Sequence, residues 1–293
     1  MKELVIIADA GGTKTEWCLL LKGSSCNVFF KTGGINISVN SAEQIEYQLS
    51  LLREEIERQF DLSTIGGFRI HFYGAGCNSS DSKNKLKFLF KKFLGDKIHT
   101  IQCDSDLLGA AKALFGKEEG IACILGTGSA SCKYDGVEIV DTIPSLGFIL
   151  GDEGSGAFMG KRLLNKYFKR ELSDECMNLL SLDKEINIPI VIEKVYREGY
   201  PNKYLASFFP FIEKNKNFKE ISSLIDESLK LFIETNVLKY KGFKGSRIRF
   251  VGGVACSLSD RIQKICEDYD MIADCFLDRP IVKLADYYIE TYQ

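Results

Sequence analysis

A short apolar strand that runs straight into a turn of glycine, threonine and serine occurs twice in this chain. No other feature constrains the fold as strongly. The first copy is Leu4–Ala8 followed by Asp9-Ala10-Gly11-Gly12-Thr13-Lys14-Thr15; the second is Ile121–Leu125 followed by Gly126-Thr127-Gly128-Ser129. The elements downstream of each turn also repeat. After the first come strands Trp17–Lys22 and Cys26–Lys31, joined by the polar Gly23-Ser24-Ser25 turn. Ser41 then reads as the N-cap of a helix to about Gln59, with Ile45, Leu49, Leu52 and Ile56 at helical spacing. Strand Arg69–Tyr73, helix Ser82–Leu94 (apolar at Leu86, Phe90 and Phe93), strand Ile98–Cys103 and helix Asp106–Phe115 complete the set.

In the second copy, Ala130–Tyr134 and Val137–Asp141 flank Asp135-Gly136, a short-range signal for a tight hairpin turn. A helix is predicted from about Ser155, then a helical insert from Asp174 to about Tyr240. Strand Ile248–Val251, helix Ser257–Tyr269, strand Met271–Phe276 and a last helix from Pro280 close the chain. The period, roughly 110 residues, is far longer than a solenoid repeat and signifies two like α/β domains. The boundaries expected are 1–113 and 114–280, with insert 174–240 in the second domain and helix 281–293 packing back on the first. Two such domains facing one another would create a cleft suited to a ligand.

Composition agrees with this and removes other classes. A length of 293 residues with 45% hydrophobic and 27% charged residues suits two globular domains. Lys and Arg number 38 against 40 Asp and Glu, so nothing selects for nucleic acid or an acidic membrane surface. The lysines between Lys83 and Lys92 read as the solvated face of a helix. No apolar run approaches the roughly 20 residues of a bilayer span, and the first residues lack a signal peptide's apolar region. The ten cysteines are scattered without a C-x-x-C pair, which reads as reduced thiols in a cytoplasm. With His71 and His99 the only histidines, a His/Cys zinc site is not expected.

The chemistry concentrates in the turns. Glycines such as Gly11 and Gly12 let backbone approach a ligand, consecutive N–H groups form anion-binding nests, and Thr13 and Thr15 add hydroxyls. Taken alone, such a turn is equally a plain hairpin. Its partner at Thr127 and Gly128, in the equivalent place of the other copy, makes nucleotide phosphate the expected ligand. Neither turn has P-loop or Rossmann spacing. Asp9, at a strand end, could hold magnesium through water. Asp104 and Asp106 lie where strand passes into helix; at least one should cap, and one could accept a proton from a substrate hydroxyl. In Gly147–Gly156, Asp152 and Glu153 precede a helix, and either capping or contact with vicinal sugar hydroxyls would explain them. Gly252-Gly253 could admit an adenine ring or serve close helix packing. Asn36, after the third strand, offers both a donor and an acceptor.

Taken in order, Asp9-Ala-Gly-Gly-Thr-Lys-Thr15, Leu125-Gly-Thr-Gly-Ser129, Leu146-Gly-Phe-Ile-Leu-Gly-Asp-Glu-Gly-Ser155 and Val251-Gly-Gly-Val254 resemble the BadF/BadG-type ATPase family, and within it the N-acetylglucosamine kinase branch. The resemblance spans nearly the whole chain. It implies the actin-like sugar kinase fold: two ribonuclease-H-like domains facing across a cleft that takes ATP, magnesium and an amino sugar. Gly11, Gly12, Thr13, Lys14, Thr127 and Gly128 would then meet phosphates, and Gly252 and Gly253 adenosine. Asp106, spaced two residues from Gly109, is similar to the family's catalytic base; Asn36, Asp152 and Gly128 to its sugar contacts; Asp9 to the aspartate linked to magnesium. Tryptophans of animal members are replaced here by Ile37-Ser38 and by the Leu146-Gly147-Phe148 stretch, which thins aromatic contact with the sugar. The activity implied is phosphorylation of the 6-hydroxyl of N-acetylglucosamine or a related amino sugar. Two alternatives stand beside it: an ATPase that activates a dehydratase, with Cys77 on a cluster, and a non-catalytic sugar or nucleotide sensor. The oligomeric state is left open, with a homodimer as the assembly entertained.

Overall fold

The structure, a computed structural model, describes residues 2–24 and 27–292. Ser25 and Cys26, the end of the expected turn and the start of the third strand, lie outside the described residues, as does Gln293 of the last helix. Two compact units emerge. One is Met1–Glu118 with Gly136–Glu138 and Arg279–Gln293; the other is Glu119–Asp135 with Ile139–Asp278.

In the first unit, strands β1 (Lys2–Ala10), β2 (Lys14–Leu21), β3 (Asn27–Gly33), β4 (Ile65–Gly74) and β5 (Ile98–Ser105) form one sheet in the order β3-β2-β1-β4-β5. The β1–β2 and β2–β3 pairs are antiparallel, and β1–β4 and β4–β5 are parallel. Helices α1 (Ala42–Gln59) and α2 (Ser80–Leu94) cover one face, where Leu4, Ile6, Ala8, Trp17 and Leu19 meet Ile45, Leu49, Leu52 and Leu86. Period-two alternation puts Val5, Ile7, Cys18 and Leu20 on the other face. There α3 (Asp106–Phe115) and the last helix (Pro280–Tyr292) pack, burying Ile281, Leu284 and Tyr288. Ser41 closes a capping box with Gln44 at the start of α1, and the four buried positions of that helix are the four the periodicity picks out.

The second unit repeats the topology. Strands β6 (Gly120–Leu125), β7 (Ser129–Tyr134), β8 (Ile139–Ile143), β9 (Arg247–Val251) and β10 (Ile272–Leu277) lie in the order β10-β9-β6-β7-β8, with matching pair orientations. A four-residue helix α4 (Gly147–Leu150) and α5 (Gly156–Lys169) follow the meander. The stretch from Asp174 to Lys239 is predominantly helical, its longest member running Lys219–Thr235. Leu125, Leu163, Phe232, Phe250 and Ile262 share one buried cluster. The fold is thus α/β, two five-stranded sheets of the same ribonuclease-H-like topology.

Two local expectations change. The tight Asp135-Gly136 hairpin is a four-residue loop, because Tyr134 pairs with Ile139 and β8 starts two residues late. A methyl group on Gly136 would stand 2.4 Å from the Lys117 carbonyl oxygen, so the loop tip packs on backbone elsewhere and Val137 and Glu138 stay out of the ladder. The helix expected from Ser257 instead begins at Gly253, breaks at Leu258 and resumes at Ser259.

Candidate active site

The ends of β1, β4 and β5 gather most of the predicted residues of the first unit. Gly11 N–H closes the β1–β2 turn on the Lys14 carbonyl at 2.9 Å. The loop after β3 lies against this turn so closely that a methyl group on Gly34 would sit 2.5 Å from the Gly12 carbonyl carbon. Ile35 N–H donates to Thr15 Oγ1 at 3.1 Å, which fixes that loop to β2. Ala75 N–H donates to the Ala10 carbonyl, bringing in the loop after β4. Asn36 is next along: its N–H donates to Asn40 Oδ1 at 2.7 Å, and its Oδ1 accepts from Ser38 N–H at 3.0 Å. Among the described residues the Asn36 Nδ2 group has no protein partner.

Asp106 opens α3, yet it does not cap the helix. Ser105 does, its Oγ accepting from Leu108 N–H at 3.2 Å, while Asp106 Oδ1 accepts from Leu107 N–H at 2.9 Å. Asp104 turns to Lys83, 2.6 Å away. Capping by a carboxylate is therefore corrected: a serine, shorter and neutral, meets the orphan N–H. Gly109 explains the spacing to Asp106, since a methyl group there would lie 2.6 Å from Tyr73 Cβ. Only glycine lets α3 lie this near β4. Burial raises the Asp106 pKa against the opposing Leu107 hydrogen bond. Burial also pushes Asp9 up to about 7, helped by the charges of Asp106 and Glu16 and opposed by Lys14.

In the second unit, the turn between β6 and β7 is pinned from three sides. Gly126 N–H donates to the Gly128 carbonyl, while Gly156 and Ala157, at the start of α5, donate to the carbonyls of Gly126 and Thr127. Asp152 is buried, and its Oδ1 accepts from Ser129 N–H at 3.3 Å. A methyl group on Gly128 would meet Asp152 Oδ2 at 3.1 Å, so sugar-side candidate and turn are in contact. Asp152 holds the left-handed conformation, φ 57°, unusual for a residue with a side chain. Its pKa is raised by burial, eased by the Ser129 hydrogen bond and raised further by Glu153. As at α3, a serine caps: Ser155 Oγ accepts from Phe158 N–H at 3.1 Å. Gly252, φ 116°, would place a methyl group 2.3 Å from the Leu125 carbonyl oxygen. It serves close packing, whereas a methyl group on Gly253 or Gly12 would meet no protein atom within 4 Å.

Sequence reasoning missed Glu16, Lys31 and Arg279. Glu16 pairs in register with Asp9 across β1 and β2, and Lys31 pairs with Glu16 across β2 and β3. That juxtaposition was available from the meander. Arg279, whose Nε donates to Glu16 Oε2 at 3.2 Å, is 263 positions away and left no local signal.

A Porphyromonas gingivalis crystal structure named "Putative N-acetylglucosamine Kinase" matches the chain with a TM-score of 0.90 and 32% identity, covering 99% of this chain and 100% of that one. The chain belongs to the same family. The N-acetyl-D-glucosamine kinase of Dictyostelium discoideum is 23% identical over 239 residues, 78% of this chain and 72% of that protein. A ROK family glucokinase from Streptomyces griseus, solved with glucose and AMPPNP, shares the fold at a TM-score of 0.57 and 14% identity, covering 97% of this chain and 98% of that one. No protein-family model matches the chain, so the narrower resemblance to BadF/BadG-type ATPases stays one of motifs. The fold is the two-domain, actin-like one of these sugar kinases. Among the described residues no helix is long and apolar enough to cross a membrane.

Proposed function

We propose that the chain is an ATP- and magnesium-dependent kinase that phosphorylates the 6-hydroxyl of N-acetylglucosamine or a close amino sugar. One observation carries this reading: Asp106 is a carboxylate with a raised pKa whose structural duty has been taken over by Ser105. In-line phosphoryl transfer needs the attacking hydroxyl oriented and its proton accepted, and a carboxylate of raised basicity does both. The turns at Gly11–Lys14 and Thr127–Gly128 would give N–H groups to phosphate oxygens. Gly252 and Gly253 would line the adenosine, and Asn36 and Asp152 would hold sugar hydroxyls.

Asp9 fits a magnesium-linked role. Its carboxyl group feels the negative charge of both Glu16 and Asp106, an excess that a divalent ion would relieve. Among the described residues no three metal-ligating side chains cluster, which suits an ion that keeps its waters and takes phosphate oxygens as ligands. Magnesium, when bound, supplies charge neutralisation on the phosphates.

Family membership and the name of the Dictyostelium relative support an amino sugar as substrate. The dehydratase-activator reading has less support, because Cys77 is buried in the core and burial pushes its thiol up to about 11. A coupled assay of ADP release across a panel of amino sugars tests the proposal. Release that depends on one amino sugar supports it; sugar-independent release favours the ATPase, and binding without release favours the sensor.

A further inference from the structure

Three cations end on one buried carboxylate beside the first glycine turn. The Glu16 side chain is 2% exposed. Its Oε1 lies 2.7 Å from Lys31 Nζ and 3.4 Å from Lys14 Nζ, and its Oε2 lies 3.2 Å from Arg279 Nε. Burial alone would raise its pKa, but the Lys31 hydrogen bond and the charges of Lys14 and Arg279 prevail and hold it below the usual carboxylate range. Glu16, Lys14, Lys31 and Arg279 together sum to two positive charges, which the Asp9 carboxyl group paired with Glu16 across β1 and β2 offsets in part.

Those charges face outward. The side chains of Lys14, Lys31 and Arg279 are 55%, 54% and 42% exposed, while the carboxylate that collects them is not. Each ammonium has three donors and the guanidinium five, and the guanidinium meets Glu16 through Nε. The three heads come from separate elements: the last residue of the Gly11–Lys14 turn, the strand β3 and the residue before the last helix. A single small anion would leave such a spread of charge unused. A polyphosphate chain, with several charged oxygens in a row, would not.

We propose that Glu16 is a positioning residue that gathers Lys14, Lys31 and Arg279 into a cationic rim for the polyphosphate of a nucleoside triphosphate. This rests on the kinase reading, which gave Lys14 a phosphate and left Lys31, Arg279 and Glu16 without a role. The alternative is that Glu16 only ties the last helix to the sheet. The two differ in what they predict for the non-phosphate half of the ligand.

The test is calorimetric titration of the full chain with inorganic tripolyphosphate, ATP and adenosine, alongside the KM for ATP at saturating sugar. Lys31→Ala and Arg279→Ala, both at exposed positions, should each weaken tripolyphosphate and ATP about five- to tenfold, flatten their salt dependence and leave adenosine unchanged. The KM for ATP should rise with little change in kcat or in the KM for sugar. Glu16→Gln should act in the same direction, with Glu16→Asp restoring part of the loss; if Glu16→Gln does not fold, the two cation variants decide. Wild-type protein that phosphorylates sugar while the variants bind tripolyphosphate unaltered overturns the rim alone. Adenosine affinity falling in parallel overturns it too, in favour of the tether. Wild-type protein that binds neither ATP nor tripolyphosphate removes the rim and the kinase reading together.

Discussion

Asp9 and Glu16 stand opposite one another on β1 and β2, two carboxylates in one cross-strand pair, and cations cluster on only one of them. Like charges so placed repel. Glu16 is held in its charged form, whereas Asp9 is pushed up to about 7 from an ordinary 3.8, chiefly by burial and further by the charges of Asp106 and Glu16. Because the folded value lies above the unfolded one, the ligand-free protein has this group's full stability below about pH 4 and loses it as pH rises through 7. Asp9→Asn should therefore stabilise the ligand-free fold by about 2–4 kcal/mol at pH 8, with the gain vanishing near pH 4. Thermal unfolding across that range checks it, and the same variant should have lost its response to magnesium.

Asp106→Asn keeps size and the Leu107 hydrogen bond but cannot accept a proton. Sugar-dependent ADP release should fall by about 10²–10⁴ while ATP and sugar still bind. A coupled assay with parallel calorimetry distinguishes this from loss of binding; near-normal turnover would sink the base assignment.

Gly109 and Gly12 make a contrasting pair. Gly109→Ala must overpack against Tyr73, at a cost of about 1–3 kcal/mol, and should drag down kcat by shifting the start of α3. Gly12→Ala meets no protein atom and should change stability by less than about 0.5 kcal/mol, yet raise the KM for ATP about tenfold or more. Urea unfolding and steady-state kinetics on both variants separate the two roles.

At Asp152, asparagine tolerates the left-handed backbone and can still accept from Ser129 N–H. Asp152→Asn should unfold within a few degrees of the wild type and raise the KM for sugar about tenfold. Asp152→Val should lose about 1–3 kcal/mol, because a β-branched residue is strained at that φ. Melting curves and sugar saturation curves provide both readings.

Local periodicity made the first unit legible: α1, its Ser41 cap and its four buried positions depend on residues within one helix. The duplicated topology was legible for the same reason, as each strand and turn carries its own signal. The features that escaped were non-local. The Gly136 loop is shaped by the Lys117 carbonyl rather than by its own dipeptide, and the Glu16 cluster depends on Arg279, which no window of sequence contains. The capping roles were misplaced because Asp104, Asp106, Asp152 and Glu153 outshone the serines beside them. Asp, Asn and Ser are near equals as caps, so composition alone could not choose.

The serines have a consequence for how such a protein can change over time. Because Ser105 and Ser155 hold the starts of α3 and α5, replacement of Asp106 or Asp152 need not unravel either helix. A lineage can thus mutate these candidate site residues one at a time while the scaffold stays folded. Under the kinase proposal, descendants that bind without turning over, or that accept a different sugar, lie within single-step reach.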